Sequence, residues 1–325
     1  MTARAEAGRA ETDRVEASRE ERGRPELPGF AGKVALLIGS SRGLGRAVAG
    51  LLAEQGAHVV LNSANTAVDG RLVAKRIKAE GGRATYVRAD VADEAQVAEL
   101  AALVRERFGR LDILVHCAAG GTEARVIDAD AEMFQRSLAV NSYSLVSLVR
   151  HLSPLMPRGG KVLYMTSVGA VRSSEGYGVV GAAKAASESL VRSLALELAP
   201  RGVSVNAVRA TVFPTLSLSY FSQAEAWLAM CESETPMGPP PVEKIAETVL
   251  LLCAAGADYV TGQVVNVDGG WFSTVHRPAF SAREPDGEGH AQQHVQQNGE
   301  QRAEQEAEQH AERADQEHVS RGSTS

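Results

Sequence analysis

The chain reads as a single doubly wound α/β domain with a seven-stranded parallel sheet and helices on both faces. Three observations predict that class: seven short apolar runs, the Ala- and Leu-rich helical stretches that separate them, and a glycine-rich turn after the first run. Such alternation builds right-handed βαβ crossovers, and ligands bind beyond the carboxyl ends of the strands. In order, VALLIG (34–39) has the character of a strand buried on both faces. It passes through Gly39, Gly43 and Gly45 into the helical pattern RAVAGLLAEQG. HVVLN, ATYVRA, LDILVHC, KVLYMTS, VSVNAV and QVVNV are the remaining strand candidates, each preceded by a helical stretch with its charges on one side.

Composition bounds the domain. Of 325 residues, the first 28 and roughly the last 50 are rich in Arg, Glu, Gln, Ala and His and poor in bulky apolar side chains, so burial there cannot offset ordering entropy. The expected organisation is a disordered tail over 1–28, one domain over 29–275, and a disordered acidic, Gln-rich tail over 276–325. The net charge of −6 argues against nucleic-acid binding, and no apolar leader or membrane span is visible, so a cytoplasmic location is expected. The three cysteines, Cys117, Cys231 and Cys253, form no C-x-x-C pair, and no metal site is expected.

Two motifs carry chemistry. In the glycine turn, spaced Gly-x3-Gly-x-Gly, the backbone bends sharply and offers free N–H groups and the positive end of a helix dipole to a pyrophosphate. In YGVVGAAKAAS, Tyr177 and Lys184 stand seven residues apart, which on a helix is about 700°, close to two turns on one face. An ammonium near a phenol favours the phenol as a proton relay.

With these motifs the chain resembles the short-chain dehydrogenase/reductase family over roughly residues 30–272. Further matches are Asp90-Val91, Asn141 in VNSYSL, Ser167 in MTSVGA, Asn206 in VNAV, Thr261-Gly262-Gln263 and Val267-Asp268-Gly269-Gly270. The resemblance implies a Rossmann domain that binds a nicotinamide dinucleotide through Gly39, Ser41, Arg42, Gly43, Leu44, Gly45, Asn62, Ser63, Asp90, Val91, Cys117, Ala118 and Lys184. It also implies a homotetramer or homodimer joined through the Tyr177 helix and the strand before Asp268. The second strand ends LNSAN without the acid that would repel the 2′-phosphate of NADP. Arg42 supplies a forked cation suited to that phosphate, so NADPH is expected over NADH; the alternative is that Arg42 is an exposed loop residue.

The chain also departs from the family. Most members carry Tyr four residues before the Lys, where this chain has Val180; His116-Cys117-Ala118-Ala119 replaces Asn-Asn-Ala-Gly, and Ala210-Thr211 replaces Pro-Gly. Tyr177 instead resembles the Y-x6-K spacing of the enoyl-thioester reductase branch. In that reaction hydride lands on Cβ while charge appears on the thioester oxygen two carbons away, so the acid must reach further. Moving the phenol three residues earlier shifts its anchor by up to about 4.5 Å in a helix.

The expected function is therefore reduction of an α,β-unsaturated acyl thioester on an acyl carrier protein or coenzyme A. Tyr177 would donate to the thioester oxygen, Lys184 would hold the nicotinamide ribose, Ser167 would assist at the oxygen, and Asn141 would serve a water relay. Ser167 also fits a turn-capping role and Asn141 a structural one. Residues 214–238, with Leu216, Leu218, Tyr220, Phe221, Trp227, Leu228 and Met230, suit a lid over an acyl chain or plain packing. Carbonyl or alcohol oxidoreduction, including 3-oxoacyl reduction, and a catalytically silent NADP-binding regulator remain as alternatives.

Overall fold

The computed structural model describes residues 29–213 and 218–274. Both expected tails, together with Pro214 and Leu216 of the expected lid, lie outside the described residues. Seven strands, β1 (Val34–Ile38), β2 (His58–Ser63), β3 (Arg83–Arg88), β4 (Ile113–His116), β5 (Lys161–Ser167), β6 (Ser204–Ala210) and β7 (Val264–Val267), form one sheet in the order 3-2-1-4-5-6-7. Every pairing is parallel. All seven apolar runs of the sequence are strands.

The pleat sends alternate side chains to opposite layers. From β1, Val34, Leu36 and Ile38 enter one core with helices α3 (Glu94–Phe108), α5 (Ser144–Leu152) and α6 (Gly178–Leu198). Ala35 and Leu37 enter the other with α1 (Gly43–Glu54), α2 (Ala67–Ala79) and α8 (Val242–Cys253). Local chemistry sets the helix ends: Asp93 caps α3 by accepting from Ala95 N–H at 2.9 Å, and Gly109 ends it at φ +68°. A short helix, α4 (Ala131–Leu138), runs through a π-helical turn at Ala139–Tyr143 into α5, and α7 (Ala224–Glu234) lies between β6 and β7. The strand order reverses between β1 and β4, which opens a crevice at their carboxyl ends. Among the described residues no helix is long and apolar enough to cross a membrane, and no group of three His, Cys, Asp or Glu side chains is placed to hold a metal.

Candidate active site

A cavity of about 590 Å³ occupies that crevice. It is walled by the segments that follow β1 to β6 and is closed on one side by residues 218–230. Every residue expected to bind cofactor lines it: Gly39, Ser41, Arg42, Gly43, Leu44, Gly45, Asn62, Ser63, Asp90, Val91, Cys117, Ala118 and Lys184. Gly39 sits at φ +73°, and a Cβ there would lie 2.6 Å from the Ala118 amide nitrogen, so the β1 turn and the segment after β4 touch only because that side chain is missing. Gly45 is similarly pressed on the Gly39 carbonyl.

Arg42 caps α1 without a side-chain capping bond, leaving the first-turn N–H groups to an anionic ligand. This cradle fits a dinucleotide pyrophosphate. Farther along the cavity, Asn62 is buried and donates its amide to Val87 and Ala89 carbonyls, while Ser63 Oγ meets Tyr86 Oη at 2.9 Å. These two therefore shape the wall with their side-chain groups already engaged. No carboxylate stands among residues 62–66. The Arg42 guanidinium has no partner among the described residues.

The catalytic candidates converge at the other end. Tyr177 is the N-cap residue of α6, at φ −101° and ψ −3°, and its carbonyl accepts the first helical bond from Gly181 N–H at 2.8 Å. The phenol is thus anchored at the helix boundary, one step outside the regular helix that the spacing argument assumed. Its ring lies over Gly169, where any Cβ would collide with it, and its hydroxyl is 3.1 Å from Ser167 Oγ. Val180 is buried at 4 % exposure and forms apolar wall where a phenol stands in most of the family.

Lys184 lies two turns into α6 and is 4 % exposed; its Nζ donates to the Met165 carbonyl at 2.8 Å and stands 4.7 Å from the Tyr164 ring centre. Burial pulls its pKa below the usual lysine range, opposed by Tyr177, Cys117 and Glu188. A buried ammonium with one carbonyl partner has donor capacity left for ribose hydroxyls.

Asn141 is placed differently. It falls in the π-helical turn, fully buried and outside the cavity lining. Its amide donates to the Gly120 and Ser137 carbonyls, and its own carbonyl accepts from Tyr164 Oη at 2.8 Å and Ser187 Oγ at 2.9 Å. With those groups taken and Oδ1 accepting from the Gly120 N–H at 3.4 Å, Asn141 fixes Gly120, a wall residue, from outside the cavity, where a water relay would not reach substrate directly.

His116 and Cys117 are inert for similar reasons. Burial pulls the His116 imidazole down to about 3 and pushes the Cys117 thiol up to about 12. Ser144 Oγ donates to the Val140 carbonyl, so it accepts from His116 Nε2–H at 2.7 Å, and the buried Nδ1 has no partner among the described residues.

Sequence reasoning missed several wall residues. Trp271 lines the cavity and donates Nε1–H to Glu234 at 3.0 Å, and Arg136, also in the wall, pairs with Asp90 at 2.9 Å. The aromatic after Gly269-Gly270 was the available signal for Trp271; nothing local marked Arg136. Of the expected lid, Leu218, Tyr220, Phe221, Trp227 and Met230 line the cavity, whereas Leu228 does not. Phe221 meets the phenol at a tilt and Trp227 meets it edge-on, with ring centres 5.5 and 6.1 Å from Tyr177 and 5.4 Å from each other. Asn206 and Asp268 hold this end together: Asn206 bridges Val260 O and Gln263 N, and Asp268 accepts from Gly270 and Phe272 N–H.

Known proteins share this architecture. The family described as Enoyl-(Acyl carrier protein) reductase matches residues 38–272. The 1-cyclohexenylcarbonyl-CoA reductase of Streptomyces collinus is 35 % identical over 252 residues, covering 77 % of this chain and 90 % of that protein. The NADH enoyl-[acyl-carrier-protein] reductase of Aquifex aeolicus is 32 % identical over 248 residues, 74 % of this chain and 91 % of its own. Its crystal structure superposes with TM-score 0.71 at 30 % identity, covering 77 % of this chain and all of that one. A 3-oxoacyl-[acyl-carrier-protein] reductase of Synechocystis is 34 % identical over 241 residues, 73 % of this chain and 96 % of its own. The chain belongs to the short-chain dehydrogenase/reductase family and is a nicotinamide-dependent oxidoreductase.

Proposed function

We propose that the chain is an NADPH-dependent reductase of the C=C bond of an α,β-unsaturated acyl thioester, carried by coenzyme A or an acyl carrier protein, in fatty-acid or secondary-metabolite biosynthesis. One observation carries the reading: the phenol that meets Ser167 stands seven residues before Lys184, and position 180 is a buried valine. Similarity to a CoA-ester reductase and to an enoyl-thioester reductase supports it. For the cofactor, the Aquifex relative's name carries NADH, so the choice of NADPH rests on this chain's own residues: Arg42, which has no partner among the described residues, and the acid-free end of β2.

A nicotinamide dinucleotide held by the glycine turn after β1 and by Lys184 would supply a hydride, to be accepted at Cβ of the acyl thioester. The π electrons shift toward Cα and the carbonyl, and negative charge lands on the thioester oxygen. Tyr177 donates its O–H to that oxygen and then gives up the proton, which ends on Cα as the enol reverts to the thioester; solvent restores the phenol. Hydride and proton together saturate the C=C bond. Ser167, in contact with the phenol, orients it and shares the oxyanion. Lys184 would hold the ribose hydroxyls, and its charge interacts with the phenol. Phe221 and Trp227 exclude water and offer apolar surface to an acyl group.

A second reading, reduction of a 3-oxoacyl carbonyl, is favoured by the Ser167–Tyr177 pair, which can also polarise a ketone, and by similarity to the Synechocystis enzyme. The two separate on the position of the phenol. Tyr177→Phe is expected to cut enoyl turnover by about 10² or more while leaving NADPH affinity little changed. Tyr177→Phe combined with Val180→Tyr is expected to stay poor on enoyl thioesters. A Tyr177→Phe enzyme with the original enoyl rate would remove Tyr177 as the acid.

A further inference from the structure

Glu123 lies outside the cavity yet joins three segments that build it. Its Oε2 accepts the Ser222 backbone N–H at 2.7 Å and its Oε1 accepts the Ser222 hydroxyl at 2.5 Å. Its Cγ occupies the space left by Gly176, where an added Cβ would come within 2.7 Å, and the next residue, Ala124, donates its N–H to the Gly176 carbonyl at 3.1 Å. Gly176 immediately precedes Tyr177. Ser222 immediately follows Phe221, whose ring packs on the phenol and on Trp227. One carboxylate thereby ties the segment after β4, the segment that delivers the phenol, and the aromatic lid. The contact at Gln223, whose amide reaches Glu175 at 3.5 Å, is longer and makes a single bond. The Ser222 bonds also hold the Glu123 carboxyl below the usual carboxylate range.

We propose that Glu123 is a positioning residue that latches Phe221 and Trp227 over Tyr177 and so sets the affinity for the acyl group without touching cofactor or reacting atoms. Ser222 is held at both its donors, so the two rings are preorganised, and the ordering cost of the lid is met before substrate binds. Losing the carboxylate leaves the lid to be ordered by the acyl group, which appears in the acyl KM. The choice of acyl substrate rests on the proposed enoyl-thioester function; the latch itself does not.

The test has two arms. Hydrogen–deuterium exchange of the unaltered protein, Glu123→Ala and Glu123→Gln follows peptides covering residues 220–231. Exchange there is expected to quicken by about tenfold in Glu123→Ala and by less in Glu123→Gln, which keeps one acceptor oxygen, with the β1 and β4 peptides unchanged. In steady-state assays with crotonyl-CoA, Glu123→Ala is expected to raise the acyl KM about tenfold with the NADPH KM within about twofold. Glu175→Gln is expected to move neither.

Unchanged exchange in Glu123→Ala overturns the latch whatever the kinetics show, and faster exchange with an unchanged acyl KM overturns its role in binding. Should the unaltered enzyme reduce only acetoacetyl-CoA, the enoyl reading fails, and the same KM comparison with that substrate decides the role of Glu123.

Discussion

Replacing Arg42 by alanine removes a cation that lines the cavity at the start of α1 and that has no partner among the described residues. The 2′-phosphate of NADP would be its counterpart there, since residues 62–66 hold no carboxylate and Ser41 and Thr66 offer hydroxyls 2.5 Å apart. A charge-assisted hydrogen bond contributes about 1.5–3 kcal/mol, or about 10- to 150-fold in affinity. Arg42 is half-buried and still open to solvent, so screening places the expectation near the lower figure. The assay is the ratio of kcat/KM for NADPH to that for NADH, in the unaltered protein and in Arg42→Ala. The expected ratio is about ten or more, falling toward one in the variant through a loss confined to NADPH. Equal use of the two cofactors by the unaltered protein, or a ratio that the variant leaves unchanged, would refute the reasoning.

Three further outcomes are expected. Burial keeps His116 neutral down to about pH 3 in the folded chain, whereas the unfolded imidazole takes a proton near pH 6.5, so the unfolded state binds more protons as pH falls. The folded chain is expected to lose about 2 kcal/mol between pH 7 and pH 5 from this group alone, and denaturant melts of His116→Gln should show a correspondingly shallower decline. Gly169→Ala places a methyl against the Tyr177 ring and is expected to lower turnover by at least about tenfold with little change in cofactor KM, as displaced catalytic groups do. The outer face of α6 carries Ala182, Ala185, Ser189 and Leu196, the last 77 % exposed; if this face joins subunits, Leu196→Arg is expected to lower the mass found by light scattering from that of a tetramer or dimer.

Much of this was legible because the sequence constraints are local. Gly39 and Gly45 mark places where the backbone itself collides with any side chain, a requirement that survives without knowledge of distant partners. The apolar runs became strands because a two-sided buried sheet demands unbroken apolar character. The Tyr177 and Lys184 spacing placed both groups in one cavity even though Tyr177 caps the helix, because a cap residue keeps nearly helical direction.

What was not legible depends on long-range contacts. Asn141 has the right neighbours in sequence, yet the π-helical turn and the Tyr164 and Ser187 hydroxyls withdraw it from the cavity. Trp271 and Arg136 reach the cavity through Glu234 and Asp90, partners 37 and 46 residues away in the chain. The apolar residues of 218–230 suggested a lid, but only the ring geometry shows that its aromatics pack on the phenol.

That the phenol at 177 goes with C=C reduction is decided by the rate of NADPH oxidation with crotonyl-CoA against acetoacetyl-CoA. The expected kcat/KM for the crotonyl thioester is at least about tenfold above that for the acetoacetyl thioester, a difference of about 1.4 kcal/mol in transition-state stabilisation, with butyryl-CoA as the product. Faster consumption of acetoacetyl-CoA, with 3-hydroxybutyryl-CoA as the product, would contradict it.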